Sequence, residues 1–134
     1  MAKVNIDLTD IPAVKLFRGI INVGDPLYHT GNIELNQHIL TTGIASTKSR
    51  DMSNRVKGLK WFYTDCHIYG GSSGGGVYMS KTNELCGLLV RRTYYSNLGI
   101  AVSNETINSW LDGLDKDASI EKNQKEKDYE EQLK

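Results

Sequence analysis

From residue 4 to residue 9 the chain alternates, with Val4, Ile6 and Leu8 apolar and Asn5, Asp7 and Thr9 polar. That period of two predicts a half-buried strand. Pro12 lies between Asp10-Ile11 and Ala13–Phe17, which confines the middle of this run to a sheet edge or a turn. Gly24-Asp25-Pro26 marks a turn between strands. Trp61-Phe62-Tyr63 is strand-prone, and Val77–Met79 with Leu85–Val90 reads as a hairpin closed by Lys81–Glu84. Ser103 suits a helix N-cap, with Glu105 in the first turn. Ile107, Trp110, Leu111 and Leu114 then form one apolar face that packs on the strands, and Gly113 weakens or ends the packed helix. Residues 115–134 have few apolar groups but opposite charges four apart, as in Glu121/Lys125 and Lys127/Glu131. They predict a solvated helix or a disordered tail.

The 134 residues suffice for one domain, and 39% hydrophobic with 24% charged residues is ordinary globular composition. Net charge is zero, so no overall basic field points to nucleic acid. No apolar run approaches membrane-spanning length, and the N-terminus lacks a signal-peptide core. Two cysteines, Cys66 and Cys86, make no disulfide framework and suit reduced thiols in a cytoplasmic protein. Asp112–Lys134 carries eight acidic and five basic residues, which leaves a mildly basic body of eight acidic and 11 basic. Lys48, Arg50, Arg55, Lys57 and Lys60 face one acid, Asp51, in the stretch 48–60, which reads as a solvated loop. Neither a cofactor nor a metal-ligand set is expected.

Chemistry concentrates in Thr64–Tyr78, where Gly71-Ser72-Ser73-Gly74-Gly75-Gly76 interrupts strand-like sequence. Glycine before a serine lets the backbone turn sharply and aim N–H groups into one pocket. Glycines after it remove side chains that would block a carbonyl approaching the hydroxyl. An oxyanion hole beside a nucleophile needs that arrangement. A phosphate-binding loop is disfavoured, because no Lys-Ser/Thr follows the glycines.

Thr64, Asp65, Ile68, Gly71, Ser73, Gly74 and Gly75 resemble the nucleophile loop of trypsin-like serine proteases, most closely the Deg/HtrA type, T-D-x-x-I-x-x-G-x-S-G-G. Gly76 stands where that family often has Pro or Ala. The likeness continues in Asp10–Leu16, similar to the run that carries the triad aspartate, with Pro12 replacing a small residue. It extends through Val23–Asn32, Ile39–Ser46 and Asn97–Ser103. The resemblance implies an all-β fold: a trypsin-like antiparallel barrel of about six strands with a C-terminal helix. It assigns residues 1–18 to the last strand region of a first barrel, 19–111 to the second barrel and helix, and 112–134 to a charged tail. Ser73 would be the nucleophile, and the backbone N–H groups of Gly71 and Ser73 the oxyanion hole. Asp10 would orient the base, with Asp7 as the competing aspartate. His67, Asn97 and Gly99 would line the substrate pocket, where His67 would favour an acidic side chain.

One part is missing from this inventory. The family's histidine motif, T-x-x-H-V, has no counterpart here, and His29, His38 and His67 read as surface or pocket residues. The expected function is therefore serine endopeptidase chemistry on a polypeptide substrate, in a portion inactive alone. A second chain or an upstream segment would supply the first barrel, and the exposed half would be apolar and self-associating. The alternative is a non-catalytic barrel that binds an extended peptide in the same cleft, with strand 97–103 as one wall.

Overall fold

Short β-branched and aromatic runs separated by turn residues build a single antiparallel sheet that curls back on itself. The computed structural model describes residues 5–32, 38–51 and 58–133. Its strands are β1 (Pro26–Gly31), β2 (Ile39–Ile44), β3 (Arg50–Asp51), β4 (Lys60–Thr64), β5 (Gly76–Met79), β6 (Leu85–Arg92) and β7 (Gly99–Ser103), followed by helix α1 (Asn104–Gln132). The strand order is β2-β1-β5-β6-β7-β4-β3. Ala45, just past β2, bridges Thr64 of β4, and the Ser46 N–H donates to the Tyr63 carbonyl at 2.7 Å. Six strands thus close, and the two-residue β3 hangs on the outer edge of β4. It is the strand beyond the expected six, and it falls in the stretch 48–60 that reads as a loop.

Alternation fills the interior. Leu27, Phe62, Val77, Leu89 and Ala101 come from five different strands and are essentially fully buried, together with Ile21, Cys66 and Cys86. The Gly-Asp-Pro turn forms as expected: the Asn22 N–H donates to Asp25 Oδ2 at 2.8 Å, and Gly24 and Asp25 reach the Ala45 backbone. The β5–β6 hairpin also forms, with Asn83 at φ 58° in its turn.

One expectation fails for a physical reason. Residues 5–9 form no strand, and Ile6 and Leu8 are exposed. Alternation supplies a face but not a partner ladder, and no described strand pairs with these residues. Asp7 Oδ1 instead accepts the Thr9 N–H at 2.9 Å, a local turn that competes with extension. Only residues 15–17 join the sheet, where Leu16 bridges Leu85 in parallel. Gly113 lies where the packed part of the helix ends: residues 115–133 are exposed, and the helix continues as a solvated one to Gln132. One glycine costs about 1 kcal/mol relative to alanine, too little to stop a helix whose neighbours are good formers.

The helix docks differently from its apolar stripe. Trp110 is 56% exposed, whereas Asn104 and Asn108 are buried. Asn104 Nδ2 donates to the Phe17 and Gly19 carbonyls at 3.1 and 2.9 Å, and Asn108 Nδ2 donates to Phe17 at 2.8 Å. Two amides therefore satisfy carbonyls of the segment that precedes β1. Ser103 occupies the N-cap position but caps nothing with its hydroxyl, which accepts from Ser49 Oγ at 2.7 Å and donates to Asn104 Oδ1 at 3.0 Å.

Candidate active site

The connection from β4 to β5 is pinned at both ends. Asp65 Oδ1 accepts the Ile44 N–H at 2.7 Å, and Thr64 Oγ1 donates to the Ile44 carbonyl at 2.8 Å, so the Thr-Asp pair locks β2 against β4. At the far end Gly74 N–H donates to the Leu89 carbonyl at 2.7 Å, and Leu89 N–H returns to Gly75 at 2.9 Å. Between these anchors the backbone makes successive turns, Ser72 N–H to Tyr69 and Gly75 N–H to Ser72. Gly71 and Gly74 sit at φ +97° and +83°, the region that residues with a Cβ enter only at a cost.

These turns send the two serines opposite ways. Ser72 is fully buried and Ser73 is exposed. Ser73 Oγ donates to the Val90 carbonyl at 3.1 Å. That carbonyl is available because Leu89 pairs with Ala101 and Arg91 with Ile100, which leaves Val90 as the extra residue of a β-bulge. The N–H groups of Gly71 and Ser73 donate to no described residue. A carbonyl holds the serine proton without removing it.

No described histidine hydrogen-bonds Ser73. His67 is exposed, and its Nε2 meets the Tyr69 hydroxyl at 2.7 Å. His38 precedes β2 and is exposed at φ 61°. His29 is fully buried beneath the serine loop, with Nδ1 2.9 Å from the Gly76 carbonyl and Nε2 unpartnered. A Cβ built on Gly75 would fall 2.5 Å from His29 Cε1, and one on Gly31 would fall 3.0 Å from Nε2 and 3.4 Å from Ser72 Cα. Burial pushes the His29 pKa down, and the bond to Gly76 only partly opposes this. The ring is thus a neutral support for the loop. The sequence suggests a surface or pocket position for it, although it shares the inward phase of Leu27 two residues earlier.

No described hydrogen bond links the remaining predicted residues to Ser73. Asp10 is exposed in a turn, and no hydrogen bond joins it, or Asp7, to a histidine or to Ser73. Asn97 is exposed at φ 55° after β6. Gly99 is buried opposite Thr64, and the Ile68 side chain, not His67, covers it. Both cysteines are free and buried; burial raises the Cys66 pKa and pushes Cys86 up to about 12, which removes them as nucleophiles. Among the described residues no cluster of His, Cys, Asp or Glu is placed to hold a metal, and no helix is long and apolar enough to cross a membrane.

No family model matches the chain, and no curated protein does. Solved structures do. The HtrA-type protease AlgW with a tripeptide superposes at a TM-score of 0.68 with 25% identity, over 81% of this chain and 38% of that one. AlgW with a decapeptide gives 0.62 and 27% identity over 72% and 31%. The serine endoprotease from Yersinia pestis gives 0.66 over 84% and 39%; at 23% identity it speaks to the fold alone. This chain spans between 31% and 39% of the length of these proteases. Its closed antiparallel sheet and following helix therefore have the fold of the HtrA-type, trypsin-like serine proteases, which the chain resembles over that part of their length.

Proposed function

We propose that this chain is a portion of a serine endopeptidase and is inactive alone for want of a base. Ser73 is the nucleophile, the Gly71 and Ser73 N–H groups bind the oxyanion, and Asp10 orients a histidine that arrives from elsewhere. The observation that carries the reading is an exposed Ser73 hydroxyl in a loop whose Gly71 and Ser73 N–H groups donate to no described residue, with its proton resting on Val90 rather than on an imidazole. Serine is a poor nucleophile without a base, and base removal costs about 10⁶ in turnover in the subtilisin example.

A second chain or an upstream segment would deliver the base and cover the barrel. Ile20, Val23 and Leu40 support this, being 72%, 59% and 55% exposed. On this reading residues 1–18 belong to a first barrel, 19–111 to the second barrel and its helix, and 112–134 to a charged tail. Two free buried thiols suit a reducing, cytoplasmic setting.

The alternative of a non-catalytic peptide-binding barrel is favoured by the same Ser73–Val90 bond, because an engaged hydroxyl needs no further partner. Fluorophosphonate labelling of the chain beside Ser73→Ala, read by intact mass, separates the two. The chain alone is expected to label at most weakly, and rapid labelling lost in Ser73→Ala would sink the claim that it lacks a base. If no added first-barrel polypeptide ever restores labelling, the peptide-binding reading stands in its place.

A further inference from the structure

The outer face of the sheet beside Ser73 carries a row of arginines that form no ion pair among the described residues. Tyr63 on β4, Ile100 on β7 and Arg91 on β6 are consecutive cross-strand partners. Arg50 on β3 extends the row, its guanidinium carbon 4.9 Å from the centre of the Tyr63 ring. Arg92 follows Arg91 and faces Gly99, which offers no side chain to cover it. Between these residues lies a cleft of about 530 Å³, lined by Tyr63, Arg91, Arg92, Thr93, Tyr94 and Ile100. Tyr94 is 90% exposed on its rim.

None of the three arginines meets a carboxylate among the described residues, whose ion pairs are Arg18–Asp112 and Lys60–Glu105. Unpaired guanidiniums beside aromatic rings suit planar anions, which they can grip through two N–H groups at once. Position selects among anions. Arg91 directly follows Val90, whose carbonyl holds Ser73 Oγ. On the β5 side the ladder ends at Leu88 and the serine loop engages Leu89 and the Val90 carbonyl, so Arg91 and Arg92 pair only with β7 among the described strands and leave their other edge open. An extended chain lying there would pass Ser73 and place alternate side chains over the cleft.

We propose that Arg91, Arg92 and Arg50 form a site for the carboxylate side chains of an extended acidic polypeptide bound along the Arg91–Arg92 edge. This names the substrate class of the site proposed above and rests on that cleft holding a peptide, catalytic or not. It moves the acid preference from His67, which is held by Tyr69, to the arginine row.

The test is fluorescence anisotropy with the full chain and two labelled decapeptides, one with glutamate at alternate positions and one with glutamine there. The glutamate peptide is expected to bind at least about tenfold more tightly, and Arg91→Gln/Arg92→Gln to remove most of that difference. Arg91→Lys/Arg92→Lys keeps the charge and should retain part of the preference, and far-UV circular dichroism reports whether each variant folds. Equal binding of the two peptides, binding of neither, or a preference that survives the glutamine pair overturns the proposal. Displacement of the peptide by inorganic phosphate at matching concentration overturns the choice of a polypeptide. Charge preference without Ser73 labelling under any condition would count against the protease reading alone, and labelling without charge preference against this site alone.

Discussion

Two adjacent glycines of the serine loop make a controlled comparison, because the same substitution should fail at each for a different reason. A methyl on Gly75 would lie 2.5 Å from both His29 Cε1 and the Thr30 carbonyl oxygen, and 3.0 Å from the Ser72 carbonyl oxygen. Two of the three obstacles are backbone. Thr30 belongs to β1 and is held in register with Leu40. The loop is held by Gly74 N–H to Leu89, Leu89 N–H to Gly75 and Gly75 N–H to Ser72. Relief of the overlap must break one of these bonds or part β1 from the loop. Overpacking costs about 1–3 kcal/mol and a lost backbone bond about 1 kcal/mol more, so Gly75→Ala should destabilise by about 2–4 kcal/mol. At Gly74 a methyl would meet nothing within 4 Å, but φ is +83°. There the cost is conformational, about 1–2 kcal/mol. Asparagine tolerates that conformation, so Gly74→Asn should recover part of the loss, whereas Gly75→Asn should be no better than Gly75→Ala. Urea titration followed by tryptophan fluorescence reads the order directly, since a fixed slope turns each loss into a midpoint shift. A Gly75→Ala midpoint at or above that of Gly74→Ala would refute this packing of the loop on His29.

His29 is neutral in the fold because its pKa is lowered by burial, so the unfolded chain takes up its proton first as pH falls. Its contribution is complete above about pH 6.5 and is lost below it; melting temperatures from pH 8 to pH 5 should fall less steeply in His29→Asn. At Gly113 a methyl meets nothing within 4 Å and the backbone is helical, so Gly113→Ala should raise stability by about 0.5–1 kcal/mol in the same urea titration. Cys66 and Cys86, both buried with raised pKa values, should resist a thiol reagent at pH 8 in the folded chain and react within seconds in urea.

What the sequence disclosed was mostly local. The glycine run announced the serine loop because few residues other than glycine accept the backbone angles at 71 and 74. The hairpin of β5 and β6 followed from turn residues that act within a few positions, and α1 starts after Ser103 as expected although that hydroxyl caps nothing. Failures came where a partner was required. Residues 5–9 have the period of a strand but no ladder to join, and β3 exists only because β4 offers an edge to Arg50 and Asp51. The helix stripe misled because hydrophobicity ranked Trp110 above Asn104 and Asn108, while the carbonyls of Phe17 and Gly19 needed amide donors. Such a need belongs to a distant segment and leaves no mark at helical spacing. His29 was hidden in the same way, since its burial depends on the loop that closes over it.

The Val90 bulge ties these separate features together. One extra residue in β6 turns a carbonyl out of the ladder and onto Ser73 Oγ, and it also resets the phase of the strand. Were the ladder to run on without a bulge, Arg91 would face Gly99, in the inward phase of Leu89 and Ala101, instead of sharing the outer row with Ile100 and Tyr63. A bulge changes facing by one step, so the irregularity that engages the serine also brings the Arg91 guanidinium to the outer row beside it. Deleting Val90 should therefore separate the two effects: the Ser73 hydroxyl loses its acceptor, while Arg91 then follows Leu89 directly and stays opposite Ile100 on the outer row. The deletion should fold and keep the glutamate preference, and Val90→Ala, which keeps the residue count and the carbonyl, should keep both the preference and the serine contact. A deletion that folds but loses the glutamate preference would show that the bulge itself places the arginines.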